Sequence, residues 1–197
     1  MKNDSAVETH DVPIVVADTV WIDPFVVQYQ MGDELPCVVA IDHANRSRRW
    51  LDSLIGENGG TVNLTARDSQ QLDFAAWTPP LEHEPLLDFA AVCLAHYTEA
   101  LPQANNFPKF SVQERYNVLK YESGQAYHAV HADYGPGLCG GRHLTFVLFL
   151  NTVAEGGELE FPQQSLRVAP VGGRAVIFPS GWTHAHHTLP ASEDRYV

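Results

Sequence analysis

His131 and Asp133 are separated by a single residue and together could bind a metal ion. Side chains at positions i and i+2 of an extended segment project to the same side, about 6 to 7 Å apart along the strand. A neutral imidazole and a carboxylate placed in this way can bind one metal ion between them. The alternation of the surrounding residues predicts that Tyr127 and Ala129 share this face and that His128 takes the other.

A third ligand must come from another part of the chain, and a histidine cluster follows about fifty residues downstream. It contains His184, His186 and His187. In an extended segment His184 and His186 share one face and His187 takes the other, so the residues alone leave the third ligand open. Two imidazoles and one carboxylate, with the opposite face of the metal free, form the ligand set of non-haem Fe(II) oxygenases.

A lone His-x-Asp pair is weak evidence for a metal site in a chain with ten histidines and 24 acidic residues, because two solvent-exposed polar residues would produce the same pattern by chance. The surrounding motifs are more specific. From about Phe110 to its C-terminus the chain resembles the prolyl 4-hydroxylase-like group of 2-oxoglutarate and Fe(II)-dependent oxygenases. The matching pieces are Tyr121-x-x-Gly124-x-x-Tyr127-x-x-x-His131-x-Asp133, Arg142-x-x-Thr145, Leu150-Asn151, Gly156-Gly157-Glu158-x-x-Phe161-Pro162, Val168-x-Pro170-x-x-Gly173-x-Ala175-x-x-Phe178, and a histidine followed by Pro190 and Arg195.

The resemblance implies that the metal is Fe(II) and that the catalytic residues are its ligands. In the family the third ligand lies four residues before a proline. This spacing selects His186 through Pro190, with His184 as the alternative. His131, Asp133 and His186 are therefore the predicted metal ligands.

The resemblance also implies a binding site for the cosubstrate 2-oxoglutarate. Arg195 stands where the family places Lys or Arg, and a guanidinium matches a carboxylate better than an ammonium does. Tyr121 resembles the family tyrosine that donates to the cosubstrate. Thr145 could add a hydroxyl, although a β-branched threonine of the core would explain this position equally well.

The reaction that the resemblance implies is hydroxylation of a C–H bond with O2, giving succinate and CO2 as coproducts, with ascorbate as a supporting reductant. A proline residue of a peptide or protein, hydroxylated at C4, is the first expectation. A free amino acid or small metabolite is the alternative substrate. A third alternative is a metal-binding jelly-roll module that catalyses no reaction. It is favoured by the position of the C-terminus, two residues after Arg195, where members of the family continue their last strand.

The segment that follows Asp133 is rich in glycine and proline, with five such residues among the nine from Tyr134 to Arg142. Flexible segments beside a site commonly act as lids that exclude water. We predict that this one closes over the substrate. An ordinary hairpin connection is the alternative.

Composition narrows the range of partners. A formal net charge of −12 at pH 7 argues against nucleic acid, whose binding requires clustered Lys and Arg. Three cysteines are too few for a disulfide framework. The N-terminus lacks a basic region followed by an apolar one, and no run is long enough to span a membrane, so we expect a soluble cytoplasmic protein.

The pattern of apolar residues predicts an α+β fold that is mainly β. Apolar spacing favours helices from about 35 to 54 and from about 82 to 101, with a frayed N-terminus over about 1–12, a turn at 57–60 and a strand at 61–64. After the second helix, short apolar runs separated by Gly and Pro indicate strands, including one over 125–132 and one over 174–178. The resemblance implies a double-stranded β-helix, or jelly roll, with the N-terminal helices packed on one sheet. We expect a single oxygenase domain over 1–197, with a strand and helix support from about 13 to 106 and the catalytic core from about 107 to 197.

Overall fold

The computed structural model describes residues 15–47, 49–55, 61–106, 115–135 and 137–197. The predicted frayed N-terminus, the predicted turn at 57–60 and Pro136 lie outside this part of the chain. The helices are α1 Leu35–Ser47, α2 Glu84–Ala100 and α3 Pro102–Asn106, with short 3-10 helices at Leu81–His83, Gly137–Gly141 and Trp182–His184. The strands are β1 Val16–Asp23, β2 Val26–Met31, β3 Leu51–Asp52, β4 Gln70–Ala75, β5 Arg115–Tyr121, β6 Leu144–Leu148, β7 Leu159–Phe161, β8 Leu166–Val168, β9 Arg174–Pro179, β10 His187–Thr188 and β11 Arg195–Tyr196.

The strands form three sheets in which every described pair of neighbouring strands is antiparallel. The first sheet has the order β1-β2-β9-β6, the second β10-β7-β8 and the third β11-β5-β4-β3. The protein is thus mixed α/β and mainly β, as predicted. Among the described residues, no helix combines the length and the apolar character that crossing a membrane requires.

Strand β9 is buried on both faces, which explains its nearly continuous apolar sequence. Successive side chains of a strand point to opposite faces. Ala175 and Ile177 belong to a core cluster that also contains Phe89 of α2. Val176 and Phe178 belong to a second cluster, shared with Leu159 and Phe161 of β7. This second cluster lies between the first and second sheets, and His186, one of the predicted metal ligands, packs against it.

Three of the predicted elements differ from the structure. Helix α1 ends at Ser47, before residue 54, because the chain then forms β3, which pairs with Gln70 and Gln71 of β4. The strand expected at 61–64 is not formed, and β4 is found instead at Gln70–Ala75. Strand β4 has one buried side chain, that of Leu72, so its apolar pattern is short, and its pairing with β5 stabilises its extended conformation.

The segment 125–132 is also not a continuous strand. It makes two isolated bridges, one between Tyr127 and Arg67 and one between His131 and His186. The chain enters this segment through a turn at Gly124, whose φ of 86° favours glycine. His131, the first of the predicted metal ligands, is therefore positioned by pairing with the segment that carries His186.

Candidate active site

His131, Asp133 and His186 come together at the edge of the second core cluster. One ligand atom from each lies within 4.8 Å of the others. The Nε2 atom of His131 is 3.9 Å from Oδ1 of Asp133, and Nε2 of His186 is 3.6 Å from Oδ2 of the same carboxylate. The main-chain N–H of each histidine donates to the carbonyl of the other, at 2.9 and 2.8 Å. The backbone itself thus holds the two imidazoles together.

The hydrogen bonds of the two imidazoles determine which nitrogen is free for a metal. Nδ1 of His131 lies 3.0 Å from the carbonyl oxygen of Ala129, and Nδ1 of His186 lies 3.0 Å from that of His184. A carbonyl oxygen can only accept, so each Nδ1 carries the proton and each Nε2 keeps its lone pair. Both lone pairs are on the side of Asp133.

The surroundings keep His131 neutral. Burial, followed by the proximity of His186, lowers the pKa of His131 to about 4, although Asp133 acts in the opposite direction. A neutral imidazole is the form that binds a metal. The His186 ring packs against apolar groups, with the ring centroids of Phe178 and Phe161 at 4.9 and 5.7 Å.

Thr145 lies beside Asp133. Its hydroxyl donates to Oδ2 of Asp133 at 2.6 Å, a short bond typical of a charged acceptor. Arg142 donates to the main-chain oxygen of Asp133 at 3.4 Å. The sequence suggested that the Thr145 hydroxyl contacts the cosubstrate. The structure places it on the Asp133 carboxylate, where it fixes the orientation of that group.

The other two histidines of the cluster lie outside this group. His184 is buried, and its Nδ1 is 3.0 Å from the hydroxyl of Thr183. Nε2 of His187 lies 2.9 Å from the carboxylate of Glu160, on the side of the chain opposite to His186. Of the three candidates for the third ligand, His186 is the one that the structure brings to His131 and Asp133.

Arg195 is completely buried at the start of β11, where it pairs with Tyr121 of β5. Its guanidinium carbon lies 4.2 Å from the centre of the Tyr121 ring. It donates to the carbonyl of Gly157 and, at 3.0 Å, to the hydroxyl of Thr188. Burial lowers the pKa of Arg195, but an arginine keeps its charge in proteins.

The guanidinium of Arg195 has unused hydrogen-bonding capacity. Its Nε is buried and lacks a hydrogen-bond partner among the described residues. The sequence identified Arg195 and Tyr121 but missed Thr188 and the Gly157 carbonyl, because main-chain groups and a single hydroxyl leave no signal in a sequence. A buried cation with a free donor fits a carboxylate ligand.

An aromatic stack beside the predicted metal ligands was also not predicted. The ring of Tyr127 lies parallel to that of His131, with centroids 3.6 Å apart and an interplanar angle of 14°. The guanidinium carbon of Arg67 is 5.0 Å from the centre of the same Tyr127 ring. The stack restricts rotation of the His131 ring.

The glycine-rich segment after Asp133 is anchored at its start, where the Tyr134 N–H donates to the Ser180 carbonyl at 2.9 Å. Its residues Gly137–Gly141 form a short 3-10 helix. Whether it closes over a substrate stays a prediction.

Part of the chain matches a known protein family. Residues 116–197, which contain all the site residues discussed above except Arg67, match the family model of the 2OG-Fe(II) oxygenase superfamily. This region belongs to that superfamily. The resemblance inferred from the sequence motifs is confirmed. The chain is also similar to prolyl 4-hydroxylase 13 of Arabidopsis thaliana, with 38% identity over 124 residues that cover 49% of this chain. The match spans 44% of that relative's length.

Solved structures of prolyl hydroxylases share the fold of this chain. The viral collagen prolyl hydroxylase of Paramecium Bursaria Chlorella virus-1, in a 2OG complex, superimposes with a TM-score of 0.62 and 21% identity, covering 87% of this chain and 92% of the viral one. A prolyl hydroxylase of Trichoplax adhaerens, in complex with a hypoxia inducible factor peptide fragment, gives a TM-score of 0.62 and 19% identity, covering 83% of this chain and 74% of that one.

The side chains of this oxygenase region fit the groups that the family uses. Two imidazoles with free Nε2 atoms and one carboxylate are the donor set of a non-haem Fe(II) centre. The buried Arg195, with its free Nε, suits the carboxylate of 2-oxoglutarate.

Proposed function

We propose that the chain is a 2-oxoglutarate- and Fe(II)-dependent dioxygenase that hydroxylates a proline residue of a peptide or protein at C4. The observation that carries the proposal is the convergence of His131, Asp133 and His186, with both histidine protons held on Nδ1. The similarity to a plant prolyl 4-hydroxylase and to the folds of prolyl hydroxylases supports the choice of reaction. These relatives do not favour a metabolite hydroxylase or a module without turnover.

The proposed roles follow from the contacts. His131, Asp133 and His186 hold the iron, and Thr145 keeps the Asp133 carboxylate oriented toward it. Bound iron and 2-oxoglutarate supply the oxidising power, with succinate and CO2 as the coproducts. Because Arg195 is buried, it can neutralise a carboxylate of the cosubstrate away from water.

We infer that Tyr121 helps to define the same pocket. Its ring covers the guanidinium of Arg195, and the side chain is itself buried. The apolar rings of Phe161 and Phe178 line the side of His186 and limit the access of water. Exclusion of water protects the reactive species and strengthens electrostatic interactions in the site.

We also propose that the first and second sheets are the two halves of a double-stranded β-helix. The core cluster shared by β2, β7, β8 and β9 supports this arrangement. Helices α1 and α2 would then cover the outer face of the first sheet. The first core cluster supports this, because it contains residues of both helices and of strands β2 and β9. On this view 1–197 forms one domain, in which the N-terminal part supports the catalytic core.

The experiment that tests the function uses the whole chain with Fe(II), ascorbate, O2 and 2-oxoglutarate. Succinate and hydroxyproline are quantified by mass spectrometry with and without proline-containing peptides. We expect peptide-dependent succinate formation and one hydroxyproline for each coupled succinate. The Asp133→Ala variant is the control for adventitious iron chemistry. If the unmodified chain forms no succinate while binding metal and 2-oxoglutarate, the proposal is wrong.

A matched pair of variants tests the assignment of the third ligand. His186→Ala should abolish binding of Mn(II), an oxygen-stable surrogate for Fe(II), because two remaining ligands cannot hold the ion. His184→Ala should retain most of it, since His184 lies outside the ligand group. Calorimetry with the two variants measures the difference. Equal losses in both would contradict the assignment.

A further inference from the structure

The motif Leu150-Asn151 is part of the family resemblance, and it follows β6 after one residue. Leu150 is buried and belongs to the first core cluster, so its packing fixes the backbone that carries the Asn151 side chain. The N–H of Leu150 donates to the carbonyl of Tyr196 at 2.9 Å. The motif therefore lies directly beside β11, the strand that carries Arg195.

The side chain of Asn151 pairs with the main chain of β11 and the residue before it. Its Nδ2 donates to the carbonyl of Asp194 at 2.9 Å, and its Oδ1 accepts from the N–H of Tyr196 at 2.7 Å. A carbonyl can only accept and an N–H can only donate, so these partners determine the orientation of the amide. With its side chain, Asn151 thus makes the pair of hydrogen bonds that the main chain of a neighbouring strand would make.

These two bonds lie on either side of Arg195 in the sequence. In an antiparallel pair, the main-chain groups of successive residues point to opposite edges of the strand. Arg195 pairs with Tyr121 of β5 on one edge. Asp194 and Tyr196 present their main-chain groups to the other edge, where Asn151 lies. The backbone at Arg195 is therefore held by β5 on one side and by a single side-chain amide on the other.

The short length of β11 makes this second edge important. The strand has two residues, so its pairing with β5 consists of few hydrogen bonds. Arg195 is completely buried, and its guanidinium carbon lies 4.2 Å from the centre of the Tyr121 ring. A shift of the β11 backbone would displace this guanidinium. Recognition of a carboxylate by a guanidinium depends on the alignment of the two planar groups.

We propose that Asn151 is a positioning residue for 2-oxoglutarate. It acts through Arg195, because it holds the backbone on both sides of that residue and so orients the guanidinium toward a carboxylate of the cosubstrate. The predicted metal ligands do not depend on this contact, since His131 and His186 are held by main-chain hydrogen bonds to each other. This inference rests on the proposed function, because it concerns the cosubstrate of the same site.

The test replaces Asn151 by leucine, which keeps the size and branching of the side chain but removes both hydrogen bonds. Loss of two such bonds corresponds to a factor of about ten in an equilibrium. If β11 holds Arg195 correctly in about one molecule in ten, the apparent dissociation constant of 2-oxoglutarate rises about tenfold. Calorimetry of the Mn(II) form should show this rise in Asn151→Leu, with Mn(II) affinity close to that of the unmodified protein. In turnover, KM for 2-oxoglutarate should rise likewise and kcat should stay the same.

Two further variants show whether the effect comes from these bonds. Asn151→Asp keeps an oxygen for the Tyr196 N–H but loses the donor to the Asp194 carbonyl, so its dissociation constant should lie between those of Asn151→Leu and the unmodified protein. The control is Gln164→Leu, which removes an amide that donates to the Thr183 carbonyl at 2.7 Å, and it should leave both affinities unchanged. An unchanged 2-oxoglutarate constant in Asn151→Leu, or an equal loss of Mn(II) affinity, would overturn the inference.

Hydrogen exchange of the metal-free protein separates this inference from the proposed function, because it requires no ligand. The Tyr196 N–H donates to Asn151, so in Asn151→Leu it should exchange at least about tenfold faster. The His186 N–H, which donates to the His131 carbonyl, should exchange at an unchanged rate. Equal exchange of Tyr196 in both proteins would overturn the inference, even if 2-oxoglutarate is turned over. Faster exchange in a chain that binds no 2-oxoglutarate would instead refute the proposed function, and would leave Asn151 as a structural contact of β11.

Discussion

Replacing Thr145 by valine tests whether the hydroxyl on the Asp133 carboxylate contributes to metal binding. Valine keeps the branched shape of the side chain but removes the 2.6 Å hydrogen bond to Oδ2. Hydrogen bonds to charged groups contribute about 1.5 to 3 kcal/mol. Since about 1.4 kcal/mol corresponds to a factor of ten, Thr145→Val should weaken Mn(II) binding about 10- to 100-fold. Loss of outer groups that orient metal ligands has effects of the same size, about 10- to 100-fold.

Calorimetry with Mn(II) measures this effect, and thermal unfolding of the metal-free variants shows whether the fold is intact. Thr145→Ser keeps the hydroxyl and should restore most of the affinity. Thr98→Val serves as the control, because it removes a hydroxyl that bonds to the Leu94 carbonyl on α2, far along the chain from the metal ligands. If Thr145→Val binds Mn(II) as tightly as the unmodified protein, the carboxylate does not need this partner and the reasoning is wrong.

Three further predictions follow from the buried groups of the site and the core. Arg195→Ala should raise the dissociation constant of 2-oxoglutarate at least about tenfold, measured by calorimetry of the Mn(II) form, while metal affinity changes little. The constant of Arg195→Lys should lie between those of Arg195→Ala and the unmodified protein. An unchanged constant in Arg195→Ala would mean that another cation binds the cosubstrate. Tyr127→Ala should weaken Mn(II) binding because the His131 ring loses its stacked neighbour, whereas Tyr127→Phe keeps the ring and should bind Mn(II) normally. Equal affinity in both variants and the unmodified protein would show that the stack does not position His131. The metal-free protein should lose stability as the pH falls from about 6.5 to about 4, because burial lowers the pKa values of His83 and His131 to about 4 and these residues therefore take up protons more readily in the unfolded chain. In urea unfolding, the stability of His83→Gln should depend less on pH, and an identical pH dependence would show that His83 does not cause the loss.

Much of the candidate site could be predicted because its chemistry depends on residue type and spacing. The types and spacing of His131 and Asp133 made them candidates, whereas the family resemblance was needed to select His186 and Arg195. The apolar run of β9 indicated a strand, because few polar residues interrupt it. In these cases the evidence lies in the residues themselves and not in contacts between distant segments.

Other parts of the site could not be predicted because they depend on contacts between distant segments. Thr145 could equally have faced the core or the cosubstrate, and only the packing of β6 next to Asp133 assigns its hydroxyl. The expected strand at 125–132 failed because Tyr127 and His131 pair with two different segments, as isolated bridges. The role of Arg67 arises from one of these bridges, which brings a residue sixty positions away onto the ring of Tyr127.

The last strand connects Arg195, the residue proposed to bind 2-oxoglutarate, to the segment that carries His131. The sequence raised the question of whether two residues after Arg195 suffice for a strand. In the structure Arg195 pairs with Tyr121, and Val197 exchanges two main-chain hydrogen bonds with Leu119, at 2.8 and 3.0 Å. The N–H of Leu150 also donates to the Tyr196 carbonyl at 2.9 Å. These bonds fix the backbone on both sides of Arg195, so its guanidinium is held against Tyr121, in the segment that leads directly to His131. A change that unpairs β11 should therefore weaken 2-oxoglutarate binding before it affects metal binding, because the proposed ligands His131 and His186 are held by main-chain hydrogen bonds to each other.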